Sequence, residues 1–473
     1  MPSPKRFVSV SLPLRPLLLA AVCAALLLAP GTARALPAPT LFATTGGTGN
    51  SSVTAPPSQL YRLDPSNGST TALGNTGYAI TALAQDPTTG ILYAASNNKS
   101  PTAANTLLKL DPANGAATPV GLFGELSIPD MSFDSTGRLF GWAESNDELV
   151  SIDKNTGTAT PVGPNTISTY GAGLTFDINE TLWLFGEGEP GPFWSVDPVT
   201  GVPTERGELT SIDEEDAAIS AASADCARTT IYGALNNFGK PPANLLTIDT
   251  GTGQLANKGP TVTAIDGLEW YCPLAFEFTN AAPITVPAGK AQTLNLAVIR
   301  GPRIKGAASV NYAAVPGSAQ AGRDFAAASG TLSFGNNVGS GSFAVTVTPD
   351  PKAGKNRKFE VALSSPSAGG TAGAALQVTI NASKPKPAKV KGPKKTTSQR
   401  PVFKLKSNQL PARFRCKLDK GKYKGCGKNS KKGKKYKTPK LAPGKHKLVV
   451  QVVNGAGKKS KPAKKTFTVL AKD

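Results

Sequence analysis

Short runs of alternating apolar and polar residues follow one another from residue 41 to residue 277. Between residues 81 and 121 they read "TALAQD", "ILYAAS", "TLLKLD" and "AATPVG", and Asp, Gly, Asn and Thr residues separate them. A period of two bounded by turn residues is typical of β-strands. The pattern therefore predicts four consecutive strands in this stretch.

This four-strand unit is repeated along the first half of the chain. The phrase "LxxLDPxxG", or a close variant of it, recurs with spacings of 47, 42, 44 and 52 residues, at Asp64, Asp111, Asp153, Asp197 and Asp249. A second phrase, seen in "MSFDSTGRLFGW", alternates with it at Asp86, Asp134, Asp177 and Asp225. A period of about 45 residues with four strands per unit is typical of a β-propeller blade. We predict a five-bladed β-propeller over residues 41–277, in which the repeated Asp and Gly residues form turns and are not active-site residues.

The two ends of this repeat array are incomplete in complementary ways. "LFATTG" at 41–46 matches the second strand of a unit without its first, inner strand, and "AIDGLEWY" at 264–271 matches an inner strand with nothing after it. We expect the two segments to complete one shared blade, because an open array would leave free sheet edges.

Residues 280–382 have a different pattern, in which Gly-rich turns separate strands such as "SFAVTVTP" and "KFEVALSS". The motifs "NY" at 311–312, "GSA" at 317–319, "AG" at 321–322, "DF" at 324–325 and "GTLSF" at 330–334 follow the pattern of the Calx-beta domain. The segment therefore resembles this family, and the resemblance implies a β-sandwich that binds calcium through clustered acids.

Most acids of such a calcium site are replaced here. Other residues stand where the family pattern has acids, at Ala288, Pro316, Asn337, Lys355 and Lys358. Only Asp324 and Asp350 remain. Because calcium requires several converging carboxylates, we expect neither calcium nor another cofactor, although the resemblance itself implies calcium.

Lysine dominates the last part of the chain. Residues 383–399 include "KPKPAKVKGPKK", which is typical of an extended linker. Residues 400–473 include "RFRCKLDKGKYKGC" and "LAPGKHKLVVQVV", and they resemble the small Ig-like or fibronectin-type repeats of bacterial surface proteins. The predicted fold class is therefore all-β, a five-bladed β-propeller followed by two Ig-like β-sandwiches.

Charge is distributed unevenly along the chain. Lys and Arg number 9 against 26 Asp and Glu in residues 41–277, 9 against 3 in 278–383, and 30 against 2 in 384–473. Thirty cations in the last segment exceed what solubility requires. We therefore expect a polyanionic partner there, either an anionic cell-wall polymer, an acidic glycan or extracellular DNA. A lysine-rich surface that is merely solvated is the alternative.

The repeat copies differ most in two kinds of loop, those that join one unit to the next and those that join the second strand of a unit to the third. In a propeller, both kinds of loop lie on the same face. The residues predicted to form a ligand-binding face in these loops are Glu125, Asp130, Trp142, Glu144, Asp147, Glu187, Trp194, Asp213, Glu214, Glu215 and Asp216. Such a face suits a protein or glycan ligand, and a solvated acidic rim is again the alternative.

Binding is favoured over catalysis. His446 is the only histidine, which excludes mechanisms that pair a Ser or Cys nucleophile with an imidazole, and no catalytic residue is predicted. The predicted function is a secreted or cell-surface binding or adhesion protein, expected to be a monomer. The alternative is a carbohydrate-active propeller enzyme, a glycoside hydrolase or lyase that uses loop carboxylates.

Residues 1–35 have the features of a signal peptide. Lys5 and Arg6 precede the apolar run "PLLLAAVCAALLLAP" and the small-residue site at 33–35. No transmembrane segment is predicted in the mature chain, because no second run of about 20 apolar residues follows. Four cysteines remain after cleavage, and an oxidising compartment favours two disulfides. The repeat alignment predicts Cys226–Cys272, and the hairpin around Asp419 predicts Cys416–Cys426.

Overall fold

The computed structural model describes residues 38–46, 55–164, 166–186, 191–210, 219–237 and 240–471. Regular structure in these residues consists of 37 β-strands in nine sheets. The predicted all-β class is therefore confirmed. No helix in the described ranges is long and apolar enough to span a bilayer. The predicted signal peptide, residues 1–35, lies outside the described residues.

Twenty strands between residues 40 and 271 form five four-stranded sheets. They are β1 (Thr40–Thr45), β2 (Gln59–Leu63), β3 (Thr70–Asn75), β4 (Ile80–Gln85), β5 (Leu92–Ser96), β6 (Thr106–Leu110), β7 (Ala117–Leu122), β8 (Met131–Phe133), β9 (Leu139–Ala143), β10 (Glu148–Ile152), β11 (Ala159–Pro161), β12 (Gly173–Phe176), β13 (Leu182–Phe185), β14 (Gly191–Val196), β15 (Pro203–Leu209), β16 (Ile219–Ala224), β17 (Ile231–Asn237), β18 (Lys240–Ile248), β19 (Leu255–Pro260) and β20 (Ile265–Tyr271). We call these five sheets the repeat array.

Four of these sheets consist of four consecutive strands each, from β4–β7 to β16–β19, and the fifth has the order β20-β1-β2-β3. Leu41 lies opposite Trp270, and Ala43 lies opposite Leu268. The predicted pairing of the two ends of the array is therefore confirmed. The first strands of the sheets are neighbours, since β4 contacts β8 and β20, β12 contacts β8 and β16, and β16 contacts β20.

The repeated aspartates bond within their own turns. Asp64 Oδ1 accepts the Ser66 N–H at 2.9 Å, and Asp153 Oδ1 accepts the Asn155 N–H at 2.8 Å. The same bond from the residue two positions later is present at Asp86, Asp111, Asp134, Asp177, Asp197 and Asp249. Gly68 and Gly157 close such turns with φ values of 73° and 81°, which suit glycine. The prediction that these residues form turns is confirmed.

The next nine strands form two facing sheets with the orders β26-β23-β21-β28 and β22-β29-β27-β24-β25. They are β21 (Leu274–Phe278), β22 (Ile284–Val286), β23 (Gln292–Pro302), β24 (Ala308–Pro316), β25 (Ser329–Phe334), β26 (Ser340–Val347), β27 (Arg357–Ser364), β28 (Thr371–Ala372) and β29 (Leu376–Ile380). We call this pair the middle sandwich. Its core includes Phe276, whose ring centroid lies 5.3 Å from that of Phe334. The sequence assigned residues 274–277 to the array, but β21 pairs with β23 and buries Phe276 here.

The last eight strands form a three-stranded sheet, β30-β32-β35, and a five-stranded sheet, β31-β37-β36-β33-β34. They are β30 (Lys389–Lys391), β31 (Lys395–Thr396), β32 (Val402–Lys406), β33 (Ala412–Leu418), β34 (Lys424–Lys428), β35 (Lys434–Lys437), β36 (Gly444–Asn454) and β37 (Ala463–Val469). We call this pair the basic sandwich. Residues 389–396 were predicted as linker but contribute two of its strands, because Ala388 and Val390 pack against its core.

Two disulfides are present in the described chain, one in the last part of the repeat array and one in the basic sandwich. Cys226 bonds Cys272, and Cys416 bonds Cys426, with Cα–Cα distances of 5.6 and 5.7 Å. Cys226 follows β16 and Cys272 follows β20, which are neighbouring first strands. Both predicted pairs are confirmed.

Candidate functional site

The predicted ligand-binding face of the array is only partly described. The following candidates lie outside the described residues: Glu187, Asp213, Glu214, Glu215 and Asp216. Of the other six, Glu125 is exposed, Glu144 and Asp147 are half-buried, and the remaining three are buried.

Asp130 is a buried link between strands rather than a surface group. Its Oδ1 accepts the Met131 N–H at 2.9 Å, and its Oδ2 accepts the Leu174 and Ala222 N–H groups at 2.7 and 3.0 Å. These donors belong to β8, β12 and β16. Burial raises the pKa of Asp130 well above its usual range, and the three N–H bonds only partly oppose this. The carboxyl is therefore engaged in joining first strands, and its assignment to a ligand face is wrong.

Trp142 and Trp194 are also internal, since both belong to one buried apolar cluster between sheets. A buried indole N–H requires an acceptor, and Trp142 Nε1 donates to Thr169 Oγ1 at 2.7 Å. The two tryptophans therefore stabilise the contact between sheets, and their placement on a ligand face is corrected.

Glu144 and Asp147 hold the loop before β12. Asp147 Oδ1 accepts the Thr169 N–H at 2.8 Å, and Glu144 Oε1 accepts the Gly171 N–H at 3.1 Å. Burial raises the pKa of Glu144, and the hydrogen bond from the Gly171 N–H lowers it by a smaller amount. Between these two anchors Tyr170 remains 62% exposed. Together with Glu125, this loop is the part of the predicted face that stays open to solvent in the described residues.

A second group of charges, which sequence reasoning missed, lies where the array meets the middle sandwich. Glu269 on β20 accepts the Gln85 N–H at 2.8 Å and the Ser223 hydroxyl at 2.7 Å. Lys305, in the loop between β23 and β24, donates to the Phe133 carbonyl, and its Nζ lies 5.4 Å from the Phe176 ring centroid. The middle sandwich thus inserts a lysine among the first strands of the array. The acid within the apolar phrase "GLEWY" was the available signal for this site.

Burial controls the protonation of this pair. It raises the pKa of Glu269 to about 7 and lowers the pKa of Lys305 to about 7, while each group moderates the shift of the other. Arg228 lies beside them and pairs with Glu180 at 2.5 Å. A cavity of about 40 Å³ adjoins these residues, which is space for a few water molecules rather than for an organic ligand.

The two acids that remain from the calcium pattern both form ion pairs with one arginine. Arg357 Nη1 lies 2.5 and 2.6 Å from the two carboxylate oxygens of Asp324, and Arg357 Nη2 lies 2.8 Å from Asp350 Oδ2. Arg323 Nη2 adds a bond of 3.1 Å to Asp324. Burial opposes the charge of Asp350, but the Lys352 N–H and Arg357 outweigh it, so the pKa of Asp350 is lowered.

These residues do not fit a calcium ion. A hard divalent cation requires several converging oxygen ligands, whereas here a guanidinium occupies the oxygens of both acids. Across the described ranges, no group of three or more His, Cys, Asp or Glu side chains has metal-binding geometry. Asn337, at a position where an acid was expected, donates instead to the Ile178 carbonyl of the array at 3.1 Å.

The basic sandwich exposes most of its cations. Six lysines lie on the outer side of the three-stranded sheet and are all exposed: Lys389, Lys391, Lys404, Lys406, Lys435 and Lys437. We call these six residues the lysine ladder. His446 is not part of it, because its Nδ1 lies 2.8 Å from Asp419 and its Nε2 lies 2.9 Å from the Ala442 carbonyl. Asp419 is the main cause of the raised pKa of His446.

Comparison with known families covers two parts of the chain. Residues 277–385 match the model of the Calx-beta domain, which confirms the resemblance of the middle sandwich. Residues 41–191 match a family described as a repeat of unknown function (DUF6923). A search of curated proteins found no match.

Solved structures give matches to Calx proteins. The apo form of the Calx CBD1 domain is 27% identical and covers 24% of this chain and 98% of that chain, with a TM-score of 0.22. CBD12 from CALX1.2 is 18% identical and covers 38% of this chain and 81% of that chain, with a TM-score of 0.23. A third match, at 17% identity and a TM-score of 0.23, is the calcium binding domain CBD12 of CALX1.1. At these scores the likeness carries no further argument.

Proposed function

We propose that this chain is an extracellular binding protein whose basic sandwich attaches it to a polyanion and whose repeat array presents a second ligand face. The observation that carries the proposal is the charge of the last segment, with 30 Lys and Arg against 2 Asp and Glu in residues 384–473. Such a field attracts polyanions and is poorly specific for their sequence or composition.

The proposal includes a five-bladed β-propeller for the repeat array. Five four-stranded sheets with neighbouring first strands support it, as does the sheet that β20 shares with β1, β2 and β3. Propellers bind ligands through the loops at one end of their sheets. The exposed loop around Tyr170 and the exposed Glu125 are the described parts of the face that we assign to a protein or glycan ligand.

Secretion is part of the same proposal. Two disulfides suit an oxidising compartment, and they agree with a signal peptide at residues 1–35.

We do not propose catalysis. A glycoside hydrolase requires two carboxyl groups that face a substrate, whereas Asp130 and Glu269 are buried and accept hydrogen bonds from neighbouring strands. These two carboxyl groups are therefore engaged within the fold, and they give no support to a catalytic role.

The test is retention of the purified mature chain on anionic polymers at increasing salt. We expect affinity to fall by about a thousandfold or more between 50 and 200 mM salt, as for a protein that makes six or more phosphate contacts. A chain that ends at residue 383 is the control, and it should not be retained. Binding that does not change between these salt concentrations, or equal retention of the shortened chain, would contradict the proposal.

A further inference from the structure

The lysine ladder places like charges directly opposite one another across three strands. Lys404 on β32 lies opposite Lys391 on β30 and opposite Lys435 on β35. Lys406 lies opposite Lys389, and Lys437 lies opposite Val402. Adjacent strands are about 4.8 Å apart, and alternate residues of one strand are about 6.8 Å apart. The ammonium groups therefore project from a regular, two-dimensional grid.

No acid compensates this grid in the described part of the chain. None of the six lysines makes an ion pair there. Asp419 is the one described acid of the basic sandwich, and it bonds His446. Like charges directly opposite in a sheet are destabilising, and a surface made only for solubility mixes both signs. The ladder thus has a cost to stability that a binding role explains.

The five-stranded sheet of the same sandwich is built differently. Lys445 and Lys447 lie opposite Thr468 and Thr466, and Lys464 lies opposite Val449. Arg415 and Lys417 lie opposite Gln451 and Val449. Arg413 opposite Lys428 is the exception. Cations on this sheet therefore mostly face neutral residues, so the two faces differ in charge arrangement although both are rich in lysine.

The composition of the ladder limits the polymer that fits it. It has no aromatic side chain on which the bases of a single-stranded nucleic acid would stack, because Tyr436 packs against the core. Its cations are all lysines, and a point-like ammonium binds phosphate oxygens without the fixed geometry that the planar fork of arginine requires. A face only three strands wide, about 10 Å across, meets few phosphates of a rigid duplex, whereas a flexible chain can follow the twist of the sheet.

We infer that the lysine ladder is the docking surface for a flexible linear phosphodiester polymer, whose successive phosphates meet successive rows of lysines. This inference rests on the proposed function and narrows it to one face and one partner chemistry.

The experiment measures binding of the full mature chain to poly(glycerol phosphate) as a function of salt. In the ladder variant K391Q/K404Q/K435Q we expect at least tenfold weaker binding at 100 mM salt. The slope of log K against log salt should become less steep by about 2, since about 0.7 counterion is released per contact on a single strand. The matched control K445Q/K447Q/K464Q loses the same charge from the five-stranded sheet and should change the slope by less than about 1. Circular dichroism of both variants checks that they fold.

The outcomes separate the inference from the proposed function. Equal effects of the two triple variants would overturn the ladder as the binding face while polyanion binding stands. If the wild-type chain binds no anionic polymer at 50 mM salt, both the proposed function and the inference fail. Duplex DNA and a polyuronate of matched charge are the comparison ligands. A steeper salt slope for either one than for poly(glycerol phosphate) would overturn the assigned partner.

Discussion

The middle sandwich and the basic sandwich treat their charged residues in opposite ways. In the middle sandwich, Asp324 is almost fully buried, and Arg357 bonds both its oxygens and Asp350 as well. In the basic sandwich, Lys404 is exposed and lies between two other lysines. A buried charge such as Asp324 depends on its partner, because loss of one partner is strongly destabilising. A charge that faces like charges and solvent weakens folding slightly and is free to bind. The difference is that these charges of the middle sandwich are paired internally, whereas the ladder lysines of the basic sandwich are unpaired in the described residues, in agreement with the polyanion binding that we propose for that sandwich.

The largest expected effect on stability comes from removing Arg357, which bonds the two acids that remain from the calcium pattern. In R357M we expect the free energy of unfolding to fall by about 3 kcal/mol, the lower end of the range for breaking a buried ion pair, because the buried Asp324 carboxylate then keeps only the half-exposed Arg323 as a cationic partner. Urea denaturation at pH 7 measures the loss. The lowered pKa of Asp350 means that the part of this stability that comes from the Arg357–Asp350 pair is present above the unfolded pKa, about 3.9, and is lost as pH falls through the folded value. The difference from wild type should therefore shrink below about pH 4.

Two further variants separate charge from packing at this site. R357K keeps one charge but lacks the fork that reaches both acids, so it should recover only part of the loss. D324N/R357M removes both buried partners and should be more stable than R357M alone. If added calcium restores R357M to wild-type stability, the two acids do form a metal site once the guanidinium is gone, and our statement that they do not fit the ion is wrong.

The second effect concerns Lys305, a buried cation at the boundary between the array and the middle sandwich. Its pKa is lowered to about 7, so above pH 7 the wild-type lysine loses its proton and the folded state regains stability as pH rises towards the unfolded pKa. K305M lacks this gain and also lacks the charge that lowers the pKa of Glu269. We expect K305M to lose stability relative to wild type by about 1 kcal/mol per pH unit between pH 7 and 9, with a constant difference below pH 7.

The control for Lys305 is E269Q/K305M, whose own stability should not depend on the titration of these two groups because both are absent; comparison with E269Q and K305M then assigns the pH dependence to one group or the other. Thermal denaturation in a series of buffers at constant ionic strength measures the four combinations. A difference between K305M and wild type that is the same at pH 6 and pH 9 would show that the buried pair does not titrate in this range.

Local patterns in the sequence predicted the strands, the turns and the Cys416–Cys426 disulfide, because these depend on residues close in sequence. The Cys226–Cys272 disulfide spans 46 residues and was predicted from the alignment of the repeat units. Asp64 bonds Ser66, two positions away, and the spacing of the repeated aspartates shows the period directly. Asp130 was assigned to a surface loop because its partners, Leu174 and Ala222, are 44 and 92 residues distant. No local pattern contains such information.

Contacts between residues distant in sequence also decide the boundaries of the repeat array, the middle sandwich and the basic sandwich, and local patterns do not show them. Residues 389–396 have the composition of a linker, but Val390 and Ala388 find a core that is formed by residues after 400. Arg357 was not singled out, although Lys355 and Lys358 around it were noted as departures from an acidic pattern. The sequence therefore indicated that calcium ligands were missing, but only the structure showed that Arg357 bonds the two acids that remain.

The smallest expected effect has the opposite sign, and it tests the comparison most directly. Lys404 lies opposite Lys391 and Lys435, so K404Q removes repulsion with two neighbours and should stabilise the full chain by about 0.2 to 1 kcal/mol. The gain should decrease at high salt, since exposed charges are screened within about 3 Å at 1 M. K464Q, opposite Val449, is the matched control and should leave stability nearly unchanged. Denaturation at 20 mM and 1 M salt measures all three proteins. A loss of stability in K404Q at low salt would mean that the lysines of the ladder support the fold, and the contrast between the two sandwiches would then be wrong.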